Sequence, residues 1–351
     1  MARLLELLAD PITGESLRLA GDALLAPEGR TFRIRDGIPR FVGILESGQK
    51  QTSDTFGFKW EKTETYDSPE LHALALGWML ERYGFASALD VRSHFEAGAP
   101  FLDLGCGSGF TASLWMDGWQ GDAWVGVDIS GAIDVAKQRL PQSPHMHYVQ
   151  ADIMALPFRP GTFRTVFSEG VLHHTPSTRA ALSAAAAMLA PGGELMFYVY
   201  RRKAPVREFT DDYVRERLTG MSSEEAWAAL RPLTKLGQAL SGLHATVELD
   251  EGVPVLGIPP GRYDVQRLVY WHFAKLFWNE ALTFETNNHV NFDWYTPRYA
   301  HRQSEDEVRD WCADLGLRIE RFHVDDAGYT VRARSGTDAG ESGGRRFSTS
   351  G

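Results

Sequence analysis

From residue 101 onward the chain alternates short apolar runs with stretches whose apolar residues recur every three to four positions. That is the pattern of strands exchanging with helices. It predicts a strand over 101–104, a helix from Gly109 to about Met116, a strand over 123–127, a helix over 131–139 and a strand over 146–149. A fourth strand starts at Phe163 and leads through a loop into a helix capped by Ser177. The turn Ala190-Pro191-Gly192-Gly193 opens a fifth strand over 194–200. Such alternation specifies an α/β fold, a parallel sheet with helices on both faces, and right-handed crossovers bring the C-terminal strand ends to one edge.

The flanking segments read differently. In residues 1–45, Leu4, Leu5, Leu7 and Leu8 predict a short helix, and Leu17–Leu19 and Ala23–Leu25 predict strands separated by turns at Gly21-Asp22 and Glu28-Gly29, together a small α+β unit. Residues 46–98 form a linker and helices. Phe56, Phe58 and Trp60 cluster there, as core for the next helix or as a flap across a ligand, and Ser68-Pro69 starts a helix carrying Leu71, Leu74, Met79, Leu80 and Tyr83. Residues 201–303 interrupt the alternation with an insertion far longer than an ordinary connection. It begins helical, turns aromatic over 268–278, and over 284–295 alternates large rings with Asn, Asp and His in a predicted loop. A capping box at Ser304 and Glu307 then starts a helix, strands follow over 317–324 and 329–333, and 335–351 is predicted to be disordered. The core thus comprises 99–200 and 304–334, with 201–303 as a mainly helical cap.

Chemistry concentrates at the first strand of the alternation. Phe101, Leu102 and Leu104 run into Gly105, Gly107 and Gly109, which let the backbone bend and approach a ligand. The spacing is G-x-G-x-G with Phe at 110, so it departs from the dinucleotide fingerprint, and no Lys-Ser/Thr pair follows as in a phosphate-cradling loop. Instead Asp103 precedes the turn, and Asp128 and Asp152 stand where later apolar runs end. Three acids at successive strand ends suit a ligand with hydroxyls, an amino group and a positive centre.

In these motifs, over roughly 90–200 and 304–334, the chain resembles the class I S-adenosylmethionine-dependent methyltransferases. The resemblance implies a Rossmann-like methyltransferase sheet with S-adenosylmethionine as cofactor. It implies that Gly105, Gly107 and Gly109 lie under the methionine part, that Asp128 accepts from the ribose hydroxyls, that Ile129 packs on adenine, and that Asp152 and the Ile153 backbone meet the adenine edge. Asp103 and Ser168 complete the expected cofactor set. The stretch Phe32–Val42 is similar to the end of the small zinc-ribbon-like domain that activates several tRNA and release-factor methyltransferases. Members that hold zinc carry paired cysteines near positions 10, 13 and 26, and this chain has none there, so no metal is expected.

Composition narrows the class. With 43% hydrophobic and 23% charged residues, the chain has the balance of a globular protein. A formal net charge of −10 argues against a nucleic acid partner. Two cysteines, Cys106 and Cys312, imply no disulfide framework. No uncharged run nears the roughly eighteen residues of a membrane span, so a cytoplasmic enzyme without membrane contact is expected. Nothing indicates an oligomeric state.

Past the fourth strand, Glu169, His173 and His174 stand where the family's residues flank the methyl group. One of the two histidines is the expected general base for a hydroxyl or amine acceptor, with Glu169, His289 and Asp293 in reserve. In the insertion, His289, Asn291, Asp293 and Tyr295 are the candidates for substrate contact, because hydrogen-bonding groups among rings suit a partly apolar ligand. The expected activity is methylation of a small-molecule acceptor. The alternatives are an RNA or protein acceptor, and a non-catalytic protein that binds S-adenosylmethionine or a partner.

Overall fold

The computed structural model describes residues 1–336, so the tail expected to be disordered lies, from 337 on, outside the described residues. The first 45 residues give a helix, α1 (Ala2–Leu7), and four strands, β1 (Arg18–Ala20), β2 (Ala23–Leu25), β3 (Thr31–Arg35) and β4 (Ile38–Pro39), paired antiparallel in that order. Asp36 and Gly37, both left-handed at φ 51° and 70°, close the last hairpin in two residues. This unit shares its core with the rest of the molecule. Leu4, Leu7, Leu8 and Leu24 are buried in the same apolar cluster as Val149, Ile153 and Phe158.

Three helices follow, α2 (Ser47–Glu61), α3 (Pro69–Tyr83) and α4 (Ala88–Ala97). The Ser68 side chain accepts from Leu71 N at the start of α3, Pro69 occupies its first turn, and left-handed Gly84 ends it. The aromatic cluster of residues 56–60 lies on α2. Phe58 packs against Trp227 and Phe292 of the insertion, whereas Phe56 and Trp60 face a cleft.

The alternation then builds β5 (Phe101–Leu104), α5 (Phe110–Ser113), β6 (Trp124–Asp128), α6 (Ala132–Arg139), β7 (Met146–Gln150), β8 (Phe163–Glu169), α7 (Thr178–Ala187) and β9 (Leu189–Tyr200). The helix after the glycine turn is shorter than predicted. Beyond Ser113 it tightens into three-residue bonds from Leu114 N to Thr111 O and from Trp115 N to Ala112 O. Next comes the insertion, with α8 (Pro205–Leu218), α9 (Ser223–Ser241), a hairpin of β10 (Thr246–Leu249) and β11 (Gly261–Asp264), α10 (Val265–His272) and α11 (Phe284–Tyr295). The chain closes with α12 (Glu305–Asp314), β12 (Arg318–Val324) and β13 (Gly328–Arg334). The seven-stranded sheet has the order β12-β13-β9-β8-β5-β6-β7, and β13 alone runs against its neighbours. Reversal of strand order beside β5 opens a crevice at the C-terminal strand ends, the usual ligand position in an open α/β sheet.

Residues 284–295 are helical, not the loop their composition predicts. Thr283 caps the helix by accepting from Thr286 N. The asparagines also bond outward: Asn291 Oδ1 accepts from Phe277 N at 2.8 Å, Asn287 Oδ1 from Asn279 N at 2.7 Å, and Asn288 Oδ1 from Thr234 Oγ1 at 2.7 Å. Asn288 and Asn291, engaged this way, no longer compete for the helix backbone, while Asn287 Nδ2 also donates to Thr283 O at 2.9 Å at the helix start. Among the described residues no helix is long and apolar enough to cross a membrane, and no group of metal-ligating side chains is found.

Candidate active site

A cleft of about 330 Å³ runs over the C-terminal edge of the sheet, within the ordinary range of ligand sites, roughly 300–1,000 Å³. Its floor is the turn after β5, where Gly105, Gly107 and Gly109 have φ of 76°, 55° and 73°. A Cβ at Gly105 would lie 2.4 Å from the Val171 side chain, and one at Gly107 would lie 2.8 Å from Trp60 Nε1, so this backbone is open only to glycine. Gly105 lines the cleft, while Gly107 and Gly109 shape the turn behind it.

Asp128, at the end of β6, lines the cleft beside Ile129. Its Oδ2 accepts from Gly107 N at 2.9 Å, and its Oδ1 accepts from Ser130 N and Oγ at 2.8 and 2.7 Å. These bonds aim the carboxylate and leave lone pairs free. Asp152 lines the cleft past β7 with Ile153, and accepts from Gln49 Nε2 at 2.8 Å and Met154 N at 2.9 Å. Asp103 does not line it. It is buried beneath the turn, and burial followed by the nearby Asp128 charge pushes its carboxyl up to about 8, a protonated group at neutral pH. Ser168 is likewise buried, its Oγ donating to Leu104 O at 3.1 Å and tying β8 to β5.

Opposite lies a wall of rings and charges. Glu169 accepts from Tyr83 OH and, at 3.4 Å, from Arg82, whose guanidinium also reaches Asp325 at 2.9 Å and lies 4.4 Å from the Tyr198 ring centre. His174 faces the cleft, and its Nδ1 donates to Tyr299 O at 2.6 Å, which fixes the tautomer and leaves Nε2 an acceptor. Burial pushes its pKa down to about 4, with Asp293 and the Tyr299 bond opposing. The ring is therefore neutral near pH 7. His173 is fully buried behind it, stacked on Tyr200 at 3.6 Å between ring centres, and neither ring nitrogen has a hydrogen-bond partner among the described residues.

Of the four insertion residues, Asp293 reaches the cleft, paired with Lys59 at 2.8 Å. Burial opposes its charge, but Lys59 and the neighbouring His174 outweigh it and hold the carboxyl near 2. His289 sits outside the cleft against Thr65 Oγ1 at 2.6 Å. Asn291 and Tyr295 make bonds within the cap, to Phe277 and to Asp211. Sequence reasoning missed Gln49, Lys59, Trp78, Arg82, Tyr198 and Tyr200, all on the wall. The aromatic spacing on α2 was the one signal that pointed toward this surface.

The cleft fits S-adenosylmethionine. Asp128 and Asp152 line it with carboxylates of a kind that suits hydroxyl and amino groups, Ile129 and Ile153 line it with apolar surface, and the glycine turn admits close approach.

Residues 102–197 match the sequence model of a family described as a methyltransferase domain. Together with the sheet order, this defines a class I methyltransferase domain, whose cofactor is S-adenosylmethionine. In detail, the chain is 36% identical over 112 residues to a malonyl-[acyl-carrier protein] O-methyltransferase of Enterobacter lignolyticus, an alignment covering 32% of this chain and 43% of that protein. It is 38% identical over 103 residues to a tRNA U34 carboxymethyltransferase of Pseudoalteromonas translucida, covering 28% and 31%. The chain thus spans less than half the length of these relatives. A solved S-adenosylmethionine-dependent methyltransferase from Mesorhizobium loti matches over 67% of this chain and 89% of its own, at 15% identity and a TM-score of 0.39.

Proposed function

We propose that this protein transfers a methyl group from S-adenosylmethionine to a small-molecule acceptor in the cytoplasm, with His174 as general base. The observation that carries this reading is the continuity of one cleft from Asp128 and Asp152 to His174 Nε2. When bound, the cofactor supplies an electrophilic methyl group on a sulfonium. The chain's own task is alignment and exclusion of water, and alignment alone contributes on the order of 7–11 kcal/mol to such a displacement. Asp128 would hold the ribose hydroxyls and Asp152 the adenine amine, with Ile129 and Ile153 against the ring. His174 Nε2 would take the acceptor proton, and Asp293 would stabilise the imidazolium that results. Glu169, held by Tyr83 and Arg82, would border the methionine end.

We read residues 1–45 as a docking unit, 46–98 as the connecting helices, 201–303 as the acceptor cap and 304–334 as the closing part of the core. A tRNA acceptor is the second reading, motivated by the similarity to the tRNA U34 carboxymethyltransferase. The net charge of −10 weighs against it.

Calorimetric titration with S-adenosylmethionine tests the cofactor half. Asp128→Ala should weaken binding by about tenfold or more, as expected for loss of a charged hydrogen-bond acceptor, and unchanged affinity would remove Asp128 from the ribose role. Incubation of the protein and labelled cofactor with deproteinised extract, and separately with bulk tRNA, tests the acceptor. Label in tRNA alone would replace the first reading with the second.

A further inference from the structure

The charged side chains that line the cleft sort by position. The acids are Asp128, Asp152, Glu169 and Asp293, and the cations are Lys59 and Arg82. The excess of acid is Asp128 and Asp152, whose hydrogen bonds come from uncharged donors and which stand at the end read above as the ribose and adenine site. The other two acids are matched. Glu169 lies 3.4 Å from Arg82, at the methionine end, and Asp293 lies 2.8 Å from Lys59, toward the acceptor. Beyond the cofactor, the cleft therefore offers charges only as pairs.

Around His174 the lining is aromatic. The ring centres of Phe56 and Tyr200 lie 5.0 and 5.4 Å from that of the imidazole, and Tyr198 lies 6.0 Å from Tyr200. Tyr200 is held from behind by His173 at 3.6 Å and by Trp294 at 4.5 Å between ring centres. The Lys59–Asp293 pair adjoins these rings, with Lys59 Nζ 5.4 Å from the centre of Phe56 and 4.0 Å from that of Trp60. Asp293 acts electrostatically on both His174 and Tyr200, so it lies between them and its partner lysine in effect as well as in sequence of contacts. A charged ligand that enters such a chamber gives up its water and meets no opposite charge that is not already engaged. A flat uncharged ligand loses little water and gains ring contact.

We infer that the acceptor is an uncharged molecule with a flat aromatic body, held among Phe56, Tyr198 and Tyr200 with its hydroxyl or N–H on His174 Nε2, and that the Lys59–Asp293 pair sets this preference for neutrality. The inference rests on the methyltransferase reading above and narrows its substrate. The pair acts by mutual cancellation. Either member left alone beside the rings would be a site for a ligand of the opposite charge, because a desolvated charge without a partner recruits one.

The test uses full-length protein saturated with S-adenosylhomocysteine and titrated with para-ethylphenol, its cationic counterpart tyramine, its anionic counterpart para-hydroxyphenylacetate and the saturated alcohol ethylcyclohexanol, with heat and tryptophan fluorescence as readouts. Para-ethylphenol should bind about tenfold tighter than either charged phenol, the size expected when a charge gives up its water without a partner, and tighter than ethylcyclohexanol. Lys59→Met, which leaves the Asp293 carboxylate alone, should turn the ranking toward tyramine. Asp293→Asn, which leaves the Lys59 ammonium alone, should turn it toward para-hydroxyphenylacetate. A cleft that is merely loosened would not shift in opposite directions in the two variants. Binding of tyramine, para-hydroxyphenylacetate or ethylcyclohexanol by the wild type as tightly as para-ethylphenol, no binding of para-ethylphenol at millimolar concentration, or an unchanged ranking in both folded variants overturns the inference while leaving the methyltransferase reading standing. Failure of the wild type to bind S-adenosylhomocysteine overturns both.

Discussion

Lys59 Nζ lies 2.8 Å from Asp293 Oδ1, an ion pair that joins helix α2 to helix α11 of the cap beside the packing of Phe58 on Phe292. Both partners are largely withdrawn from water, with side-chain exposures of 8% and 25%. Removing the acid alone strands a buried ammonium. Asp293→Asn should therefore lower unfolding free energy by about 2–3 kcal/mol, and Lys59→Met/Asp293→Leu should recover most of that loss. Urea unfolding of the three proteins is the measurement; an Asp293→Asn protein as stable as the wild type would show that the pair is not what holds the cap to α2.

The two adjacent histidines should separate cleanly. His174→Ala, with a side chain on the cleft, is expected to lower kcat by about 10²–10⁴ with cofactor affinity intact. His173→Ala removes a ring stacked on Tyr200 and should cost stability, about 2 kcal/mol, before it costs rate. Single-turnover rates and melting curves on both variants distinguish the outcomes. Equal rate losses at equal stability would return the base to an open choice between them.

Acid sensitivity follows from the depressed imidazoles. Burial lowers His174 to about 4 and His289 to about 3, while an unfolded histidine titrates near 6.5. Below that pH the unfolded chain takes up protons that the folded chain refuses. Their contribution is thus complete above about 6.5 and is lost progressively as pH falls toward 4. Each is worth on the order of 3 kcal/mol over that window. Denaturation midpoints should fall steadily from pH 7 to 4.5. The rate should behave differently, because His174 stays unprotonated: kcat/KM should hold nearly level down to about pH 5, and a limb at 6.5 would argue for another base.

Gly105→Ala tests the floor of the site. At φ 76° a new Cβ would press on Val171 at 2.4 Å, so both backbone strain and overlap oppose it. Loss of about 2 kcal/mol or more and weakened cofactor binding are expected by thermal shift with and without S-adenosylhomocysteine. A neutral substitution would mean that the turn yields more readily than its geometry implies.

The parallel sheet was legible because its strands announce themselves locally, as apolar runs ending in acids that share one edge once crossovers have a fixed hand. Asp128, Ile129, Asp152 and Ile153 reached the cleft for that reason. Asp103 was legible as part of the turn but not as a buried, protonated group, since that depends first on its burial beneath the turn and then on the nearness of Asp128, which pairing of β5 with β6 creates. The cap was harder. Its asparagines have low helix preference, and the bonds that reconcile them with a helix go to Phe277 and Thr234, distant in sequence or on other elements. Lys59, Arg82 and Trp78 carry no motif. They reach the wall because α2 and α3 fold back over the strand ends, a consequence of tertiary packing rather than of spacing.

The short strand β4 ends at the outer margin of β7, where Phe41 N donates to Gln150 O at 2.8 Å and Arg40 pairs beside it. Strand β7 is the last of the seven, and a margin of that kind left bare is a template for pairing with another chain. The first 45 residues therefore act as a hem, and a truncated protein lacking them should self-associate through Met146–Gln150 even where its catalytic groups remain in place.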